Sequence, residues 1–575
     1  MKKKIGVYIC HCGGNISDYV DVEKVRQAVE NEGGVLLSKT TMFACSDSNQ
    51  KDMVDDIKNY DLDGVIVASC SPKLHLTTFR NVSERAGLNK YNYVHANIRE
   101  QVSWAHSDDK AGATEKAIHI VKAALAKDRF AESLEPNVIT AQKAVAIIGG
   151  GIAGIKAAMS LSDMNCPVYI IERDKVIGGH VGQWGALFTT NETGKDLIER
   201  LHKDLISRDN VTIFTGAEVI TNAGSIGDFK LKVKISPRNI SDKEEIVELN
   251  VGSVLMATGF DSYTPSAGEF GYEQIDNVVT LPVFKEMIEQ NNDKLLYKGK
   301  EVKNIAYIYC VGSRESEGEN TYCSRFCCTS TIHTALLAKK KFKGIYNFHF
   351  TRGVRTYGKQ EILYAESSLL GDIYLQSDEE TPPVVTHSGK KTIVKINDIL
   401  TGGREMEVEA DLVVLVTGIV PRADNSVGSL FKLPKGRDKF FNEIHMKLRP
   451  VETVIDGVTI AGTCQGPKNV TESVNSALSA ATKSFSYVSK GILETEPIVA
   501  QIDSKLCEWC NACSEACPFD AISMTAEGFK SIALINNSVC KGCGMCAPVC
   551  PTDAINLITF SNNEIECMID ALAKD

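Results

Sequence analysis

The chain has 575 residues, 43% hydrophobic and 24% charged, too long for one hydrophobic core and ordinary in composition for a globular protein. A formal net charge of −10, with no stripe of Lys/Arg interleaved with aromatics, argues against nucleic acid as a partner. No apolar run approaches the ~18 residues of a membrane helix, and the basic start leads only into Ile5–Cys10, which reads as a strand; a cytoplasmic protein without membrane insertion is expected.

Nineteen cysteines dominate the composition. Without a secretory signal they read as metal ligands or catalytic thiols rather than structural disulfides. Sixteen fall into groups, leaving Cys166, Cys464 and Cys567.

In chain order, "IGVYICHCGGN" (5–15) is a strand ending in Cys10 and Cys12. Cys45 closes "VLLSKTTMFAC" and Cys70 closes "GVIVASC". Open parallel sheets place ligands at the carboxyl ends of their strands, so these four thiols suit a [4Fe–4S] cluster; scattered core cysteines are the alternative. Residues 1–135 are expected to form a small α/β cluster domain, followed by a polar linker at 132–143.

"AVAIIGGGIAGIKAAMSLSDMNCPVYIIERD" (144–174) is strand, Gly-rich turn, helix, strand and acid. Gly149 allows the turn, Gly151 lets a pyrophosphate approach, Gly154 lets helix and strand pack, and Glu172 stands where a ribose hydroxyl is accepted. The buried strands of 251–260 and 410–424 both end in Thr-Gly, the first as Thr258-Gly259. They resemble the crossover strands of thioredoxin reductase-like flavoproteins with two dinucleotide-binding domains. "DGVTIAGTCQGP" (456–467), with Gly462, Thr463 and Gln465, resembles the late strand whose loop reaches the flavin. Cys464 there reads equally as an FAD contact or a packing residue. That resemblance implies FAD in a domain of 144–270 and 426–495, and a second, nicotinamide-binding domain at 271–425.

The second domain departs from that plan. After the strand Ile305–Tyr309, the loop begins Cys310-Val311-Gly312-Ser313-Arg314-Glu315, with one glycine of the three a pyrophosphate needs, and runs on to "YCSRFCC". In their place stand Cys310, Cys323, Cys327 and Cys328. Cys323 and Cys327, four apart, are expected to share a helix face. A helix N-terminus favours the negative charge of a cluster. A redox-active Cys323/Cys327 dithiol is the rival reading, making the chain a self-contained disulfide or pyridine-nucleotide oxidoreductase.

After a hinge at 494–501, the segment 500–560 repeats C-x2-C-x2-C-x3-C-P, the pattern of two-cluster ferredoxins. Cys507, Cys510 and Cys513 are expected to share a cluster with Cys550, and Cys540, Cys543 and Cys546 with Cys517. The tail from Asn562 reads as a short amphipathic helix.

Along nearly its whole length the chain resembles the A-type subunit of heterodisulfide reductase. The resemblance is carried by "VYICHCGGNI", "CSPKLHLTTFR", the flavin segment through Gly178-Gly179-His180, "YCVGSRE…YCSRFCC", "AGTCQGP" and the two terminal runs. It implies an α/β fold of two Rossmann-like domains between an N-terminal cluster domain and a ferredoxin module, binding FAD and four [4Fe–4S] clusters. It further implies an electron-transfer subunit, in some members bifurcating, within a larger complex, itself expected as a homodimer. The expected partners are B- and C-like subunits or another reductase module, an input subunit (hydrogenase, formate dehydrogenase or NADH module) and ferredoxin. The terminal substrate stays open between a heterodisulfide, a methylenetetrahydrofolate reductase module and an aromatic acyl-CoA reductase. A relay scaffold without bifurcation is the further alternative.

Three departures from the family stand out. Residues 230–249 carry no cysteine where many members insert a second ferredoxin. His333 replaces a lysine close to the flavin, which makes it a candidate flavin-tuning residue. Gln101-Val102 stand where the family has a cysteine after "ANIRE".

Overall fold

The computed structural model describes residues 3–188, 190, 192–236, 244–389 and 391–573. It gathers the chain into two compact units, Met1–Ile139 with Glu494–Asp575, and Thr140–Leu493.

The first unit begins with a four-stranded parallel sheet, β1 (Ile5–Cys10), β2 (Val35–Thr41), β3 (Gly64–Ser69) and β4 (Tyr93–Asn97), in the order β2-β1-β3-β4. β1 and β3 are buried at every residue, which is why they read as unbroken apolar runs rather than alternating ones. The helices α1 (Val22–Glu30), α2 (Asp47–Tyr60), α3 (Pro72–Ala86) and α4 (Lys110–Asp128) carry the crossovers and cover the faces. The Asp21, Ser46, Ser71 and Asp109 side chains accept backbone N–H groups at their N-termini, which fixes where each begins.

The second unit holds two parallel sheets built on one plan. The first orders as β14-β8-β5-β6-β7, from β5 (Val145–Ile148), β6 (Val168–Glu172), β7 (Val211–Thr215), β8 (Ser253–Met256) and β14 (Val458–Ile460). The second orders as β9-β13-β10-β11-β12, from β9 (Val278–Thr280), β10 (Asn304–Val311), β11 (Tyr346–Thr351), β12 (Ile373–Gln376) and β13 (Leu412–Thr417). In both, a central strand leads into a helix: β5 into α5 (Ile152–Asp163), β10 into α8 (Cys327–Lys341). In both, a three-stranded antiparallel meander precedes the crossover strand β8 or β13. Other helices of this unit are α6 (Gly194–Ile206), α7 (Leu281–Gln290) and α9 (Val470–Val488). The first meander contains the described parts of the cysteine-free segment 230–249; its residues 237–243 lie outside the described residues.

The last segment returns to the first unit. β15 (Ala500–Ile502) pairs with β18 (Ile555–Leu557), and β16 (Ile522–Glu527) with β17 (Lys530–Ile535), both antiparallel. The helix α10 (Asn562–Ala573) packs on α4, where the Lys127 ammonium sits 3.5 Å from the Phe560 ring centre. Among the described residues no helix is long and apolar enough to cross a membrane.

Candidate flavin and iron–sulfur sites

The β5–α5 turn builds a dinucleotide cradle. Gly149 has φ +110°, and a Cβ there would lie 2.3 Å from the Ala257 carbonyl oxygen. A Cβ on Gly154 would lie 1.9 Å from the Gly149 carbonyl oxygen, so the helix closes on the turn only because it has none. Gly151 differs: its Cβ would meet no protein atom within 4 Å. Gly151 is also the N-cap of α5 and offers no side-chain cap, so the first N–H groups of the helix face open space. That combination fits a pyrophosphate.

Around the cradle lies a cleft of about 180 Å³, lined by Gly149, Gly151, Glu172, Gly178, Gly179, Thr258, Gly259, Gly462 and Thr463 among others. Glu172 accepts the N–H of Gly150 at 2.6 Å and of Asp174 at 2.8 Å. Burial raises its carboxyl, and those two hydrogen bonds oppose the rise. Each carboxylate oxygen keeps a second lone pair for a ribose hydroxyl.

Gln465 and Cys464 do not line the cleft. Gln465 donates to Glu443 (2.9 Å) and to the Pro450 carbonyl (2.6 Å), and accepts from Lys468 (3.1 Å), a residue that does line it. Cys464 is 4% exposed and points its thiol at the Met256 and Ala461 carbonyls, which makes it a packing residue. His333 is also absent from the lining. It is buried on α8 with its ring 6.0 Å from Phe188, and burial, with Lys285 and Lys340 nearby, lowers its imidazole to about 4.

His180, Phe260 and Arg422 in the cleft wall fall within segments read from the sequence, but Trp184, Lys468 and Asn469 carry no motif. Asn469 and Glu472 form a capping box that starts α9, so its positive end is aimed at the cleft. Nothing local marks them, because they come from separate segments; the helix cap alone was readable.

The second domain's loop cannot cradle a pyrophosphate. Gly312 keeps φ +66°, but the Tyr263 ring lies 2.1 Å from where its Cβ would be, and Tyr263 is fixed by donating to Glu269 at 2.9 Å. Cys310, Arg314 and Arg325 hold φ of +61°, +60° and +62°, a conformation that side chains resist and that surrounding contacts must enforce. Cys327 opens α8, so Cys323 lies in the preceding loop and the expected shared helix face does not form. The four thiols gather nonetheless: Cys310, Cys323 and Cys328 all act electrostatically on Cys327. A hydrogen bond from Cys327, with the Arg355 backbone and the Arg314 and Arg355 charges, pulls the Cys328 thiol below its ordinary value. Arg314 reaches the Cys310 sulfur at 3.9 Å, and the Arg325 N–H donates to Cys323 at 3.4 Å. Four soft donors in a cationic setting at a helix N-terminus fit an anionic cluster.

In the first unit, Cys10 ends β1, Cys12 opens the turn after it, Cys45 follows β2 and Cys70 follows β3. Cys10 feels the charges of Cys12 and Cys45, and Cys70 that of Cys12. Cys10 accepts N–H groups from Cys12 (3.2 Å) and Ala44 (3.4 Å), and the Arg99 guanidinium donates to Cys12 at 3.3 Å. Gln101 is exposed and Val102 buried just beyond that arginine.

The ferredoxin runs have matching halves. Cys507 and Cys540 accept N–H groups from Ala533 (3.4 Å) and Ala500 (3.5 Å). Cys517 and Cys550 accept from Ala521 and Ala554, both at 3.3 Å. Cys517, Cys540, Cys543 and Cys546 line one small cavity, and Cys513 faces Cys507 and Cys510. Among the described residues no three His, Cys, Asp or Glu side chains crowd closely enough to hold a single metal ion. Zinc needs four donors on one atom, whereas a cubane spreads them over its corners.

A dinucleotide cleft beside clustered, hydrogen-bonded cysteines defines a flavin- and iron–sulfur-dependent oxidoreductase. Residues 144–233 match the FAD dependent oxidoreductase family model, and residues 500–557 the 4Fe-4S dicluster domain. The chain is 34% identical over 606 residues to the second A-type iron–sulfur subunit of CoB–CoM heterodisulfide reductase from Methanopyrus kandleri, covering 92% of each. It is 34% identical over 599 residues to the A-type subunit of the H2:CoB–CoM heterodisulfide, ferredoxin reductase of Methanothermobacter thermautotrophicus, covering 91% of this chain and 90% of that one. Thioredoxin reductase of Lactococcus lactis aligns with 61% of this chain and 100% of its own at 18% identity and TM-score 0.41. The chain belongs to the family of heterodisulfide reductase A-type subunits, and is a flavin and [4Fe–4S] electron-transfer subunit of a multi-subunit complex.

Proposed function

We propose that this chain distributes electrons between FAD and four [4Fe–4S] clusters within a cytoplasmic heterodisulfide reductase-like complex. The carrying observation is the second dinucleotide site, where Tyr263 covers the glycine loop and four cysteines stand instead. The ligand sets are Cys10/Cys12/Cys45/Cys70, Cys310/Cys323/Cys327/Cys328, Cys507/Cys510/Cys513/Cys550 and Cys540/Cys543/Cys546/Cys517. Four functional units follow, 1–135, 144–270 with 426–495, 271–425 and 500–560. The ferredoxin module exchanges electrons with an input subunit or ferredoxin; B- and C-like subunits receive them, and the complex contains two copies of the chain. The Methanothermobacter relative's name, which joins H2, a heterodisulfide and ferredoxin, favours a bifurcating role. The cysteine-free meander favours the second reading, a relay with fewer exits that does not bifurcate.

When bound, FAD exchanges electrons in pairs and the clusters one at a time. The protein supplies position and charge. The N-termini of α5 and α9 favour negative charge in the cleft, and Arg314, Arg352 and Arg355 do so around the second-domain thiols. Anaerobic iron, sulfide and flavin analysis tests the reading. About sixteen irons per FAD, reduced by one cluster in Cys327→Ala/Cys328→Ala, is expected. About eight irons, unchanged in that variant, would favour the dithiol.

A further inference from the structure

Between the FAD cleft and the second-domain cysteines lies a small apolar core that neither site explains. Phe260, Ile419 and Phe440 are buried in it, and Trp184, Tyr322 and Phe326 pack against them. Trp184 lines the FAD cleft, and Phe326 immediately precedes Cys327. The two rings stack with centroids 6.5 Å apart and planes 11° from parallel. One aromatic contact therefore runs from the cleft wall to the residue beside two of the cysteines.

Both rings are held from several sides. The Lys285 ammonium sits 5.5 Å from the Trp184 ring centre and donates to Ser330 on α8 at 2.7 Å, bracing the pair. His180 lies parallel to Trp184 at 6.5 Å on the cleft side. On the other edge, the Arg325 guanidinium, one residue before Phe326, pairs with Glu472 of the α9 capping box, and Tyr357 donates to the same carboxylate at 2.7 Å. An exposed ion pair contributes little to stability, but it sets where the loop lies.

We propose that the Trp184–Phe326 stack is the bridge that carries single electrons between the bound flavin and the cluster held by Cys310, Cys323, Cys327 and Cys328. Electronic coupling falls steeply with each through-space gap, and this stack, whose two rings pack on the same buried core, spans from the cleft wall to the ligand segment. One electron lost on the flavin side is gained on the cluster side, and no atom is transferred. The rings position the path and are not themselves oxidised. The inference rests on FAD and that cluster being present.

The test is flash photoreduction of FAD in the full-length holoprotein, with flavin and cluster absorbance followed separately. Phe326→Leu keeps apolar volume but removes the ring. It is expected to slow equilibration severalfold, with iron and FAD content unchanged. Phe326→Tyr restores the rate. Wild-type speed in Phe326→Leu overturns the proposal. If Phe326→Leu loses iron, the comparison moves to Trp184→Phe against Trp184→Leu: a slow leucine variant supports the bridge and equal rates overturn it. Unchanged iron in Cys327→Ala/Cys328→Ala would instead remove the cluster reading itself.

Discussion

Cys517 and Cys546 line one cavity although they belong to different cysteine runs, with Cys540 and Cys543 completing the wall. The crossing follows from the antiparallel β15–β18 and β16–β17 pairs, which fold each run's end back on the other. Cys517→Ser is therefore expected to change the same cluster's EPR signal as Cys546→Ser, and Cys550→Ser the other. Identical changes from Cys513→Ser and Cys517→Ser would show uncrossed ligation.

Two glycines of the flavin turn should fail differently. Gly154→Ala puts a methyl 1.9 Å from a carbonyl oxygen and is expected to destabilise the fold by about 3 kcal/mol or more, at the upper end of overpacking. Gly151→Ala meets only open space, so the protein should fold normally yet purify with little FAD. Full flavin occupancy in Gly151→Ala would place the pyrophosphate elsewhere.

Asp128 ends α4 with both carboxylate oxygens buried and without a hydrogen-bond partner among the described residues, while Lys3 donates to its backbone carbonyl at 2.6 Å. Burial raises its carboxyl from 3.8 to about 6. The folded form thus binds a proton that the unfolded chain releases between those values. Its contribution is full below pH 3.8 and lost as pH rises through 6, leaving a destabilising charge at pH 8. Asp128→Asn should stabilise by about 1–2 kcal/mol at pH 8, after the cost of an unpaired amide, and by less at pH 5.5. Equal melting shifts at both pH values would refute this.

His333 has the opposite sign. Its imidazole is lowered from 6.5 to about 4, so the unfolded chain takes up a proton that the folded one refuses. Stability is full above pH 6.5 and declines as pH falls towards 4, by up to about 3 kcal/mol. The wild type should lose more thermal stability than His333→Gln between pH 7.5 and 5.5. Parallel losses would mean that the ring does not stay neutral.

Much of the site was legible because its chemistry is local. Cysteine spacing, the Gly149–Gly154 turn and the apolar strands all announce themselves within short windows, and the structure puts Cys10, Cys45 and Cys70 at or just past the ends of adjacent parallel strands. The helix at Asn562–Ala573 was readable for the same reason. What failed was inference across a turn. Cys323 and Cys327 have helical spacing, but α8 starts only at Cys327. Gln465 shares a loop with Thr463 yet faces Glu443, because that loop is a tight helical turn that sends neighbours to opposite sides. Trp184, Phe326 and Tyr263 were invisible as site residues, since each matters only through a partner far away in the chain.

Tyr263 over Gly312 has a consequence for control. A glycine loop left open would let a diffusible nicotinamide cofactor dock, and the enzyme would then respond to the ratio of its oxidised and reduced pools. With an aromatic ring fixed across it, that entrance is shut. On the proposed electron-relay reading, reducing equivalents then arrive through protein contact, so supply would follow which subunits are assembled around the chain rather than the concentration of a metabolite.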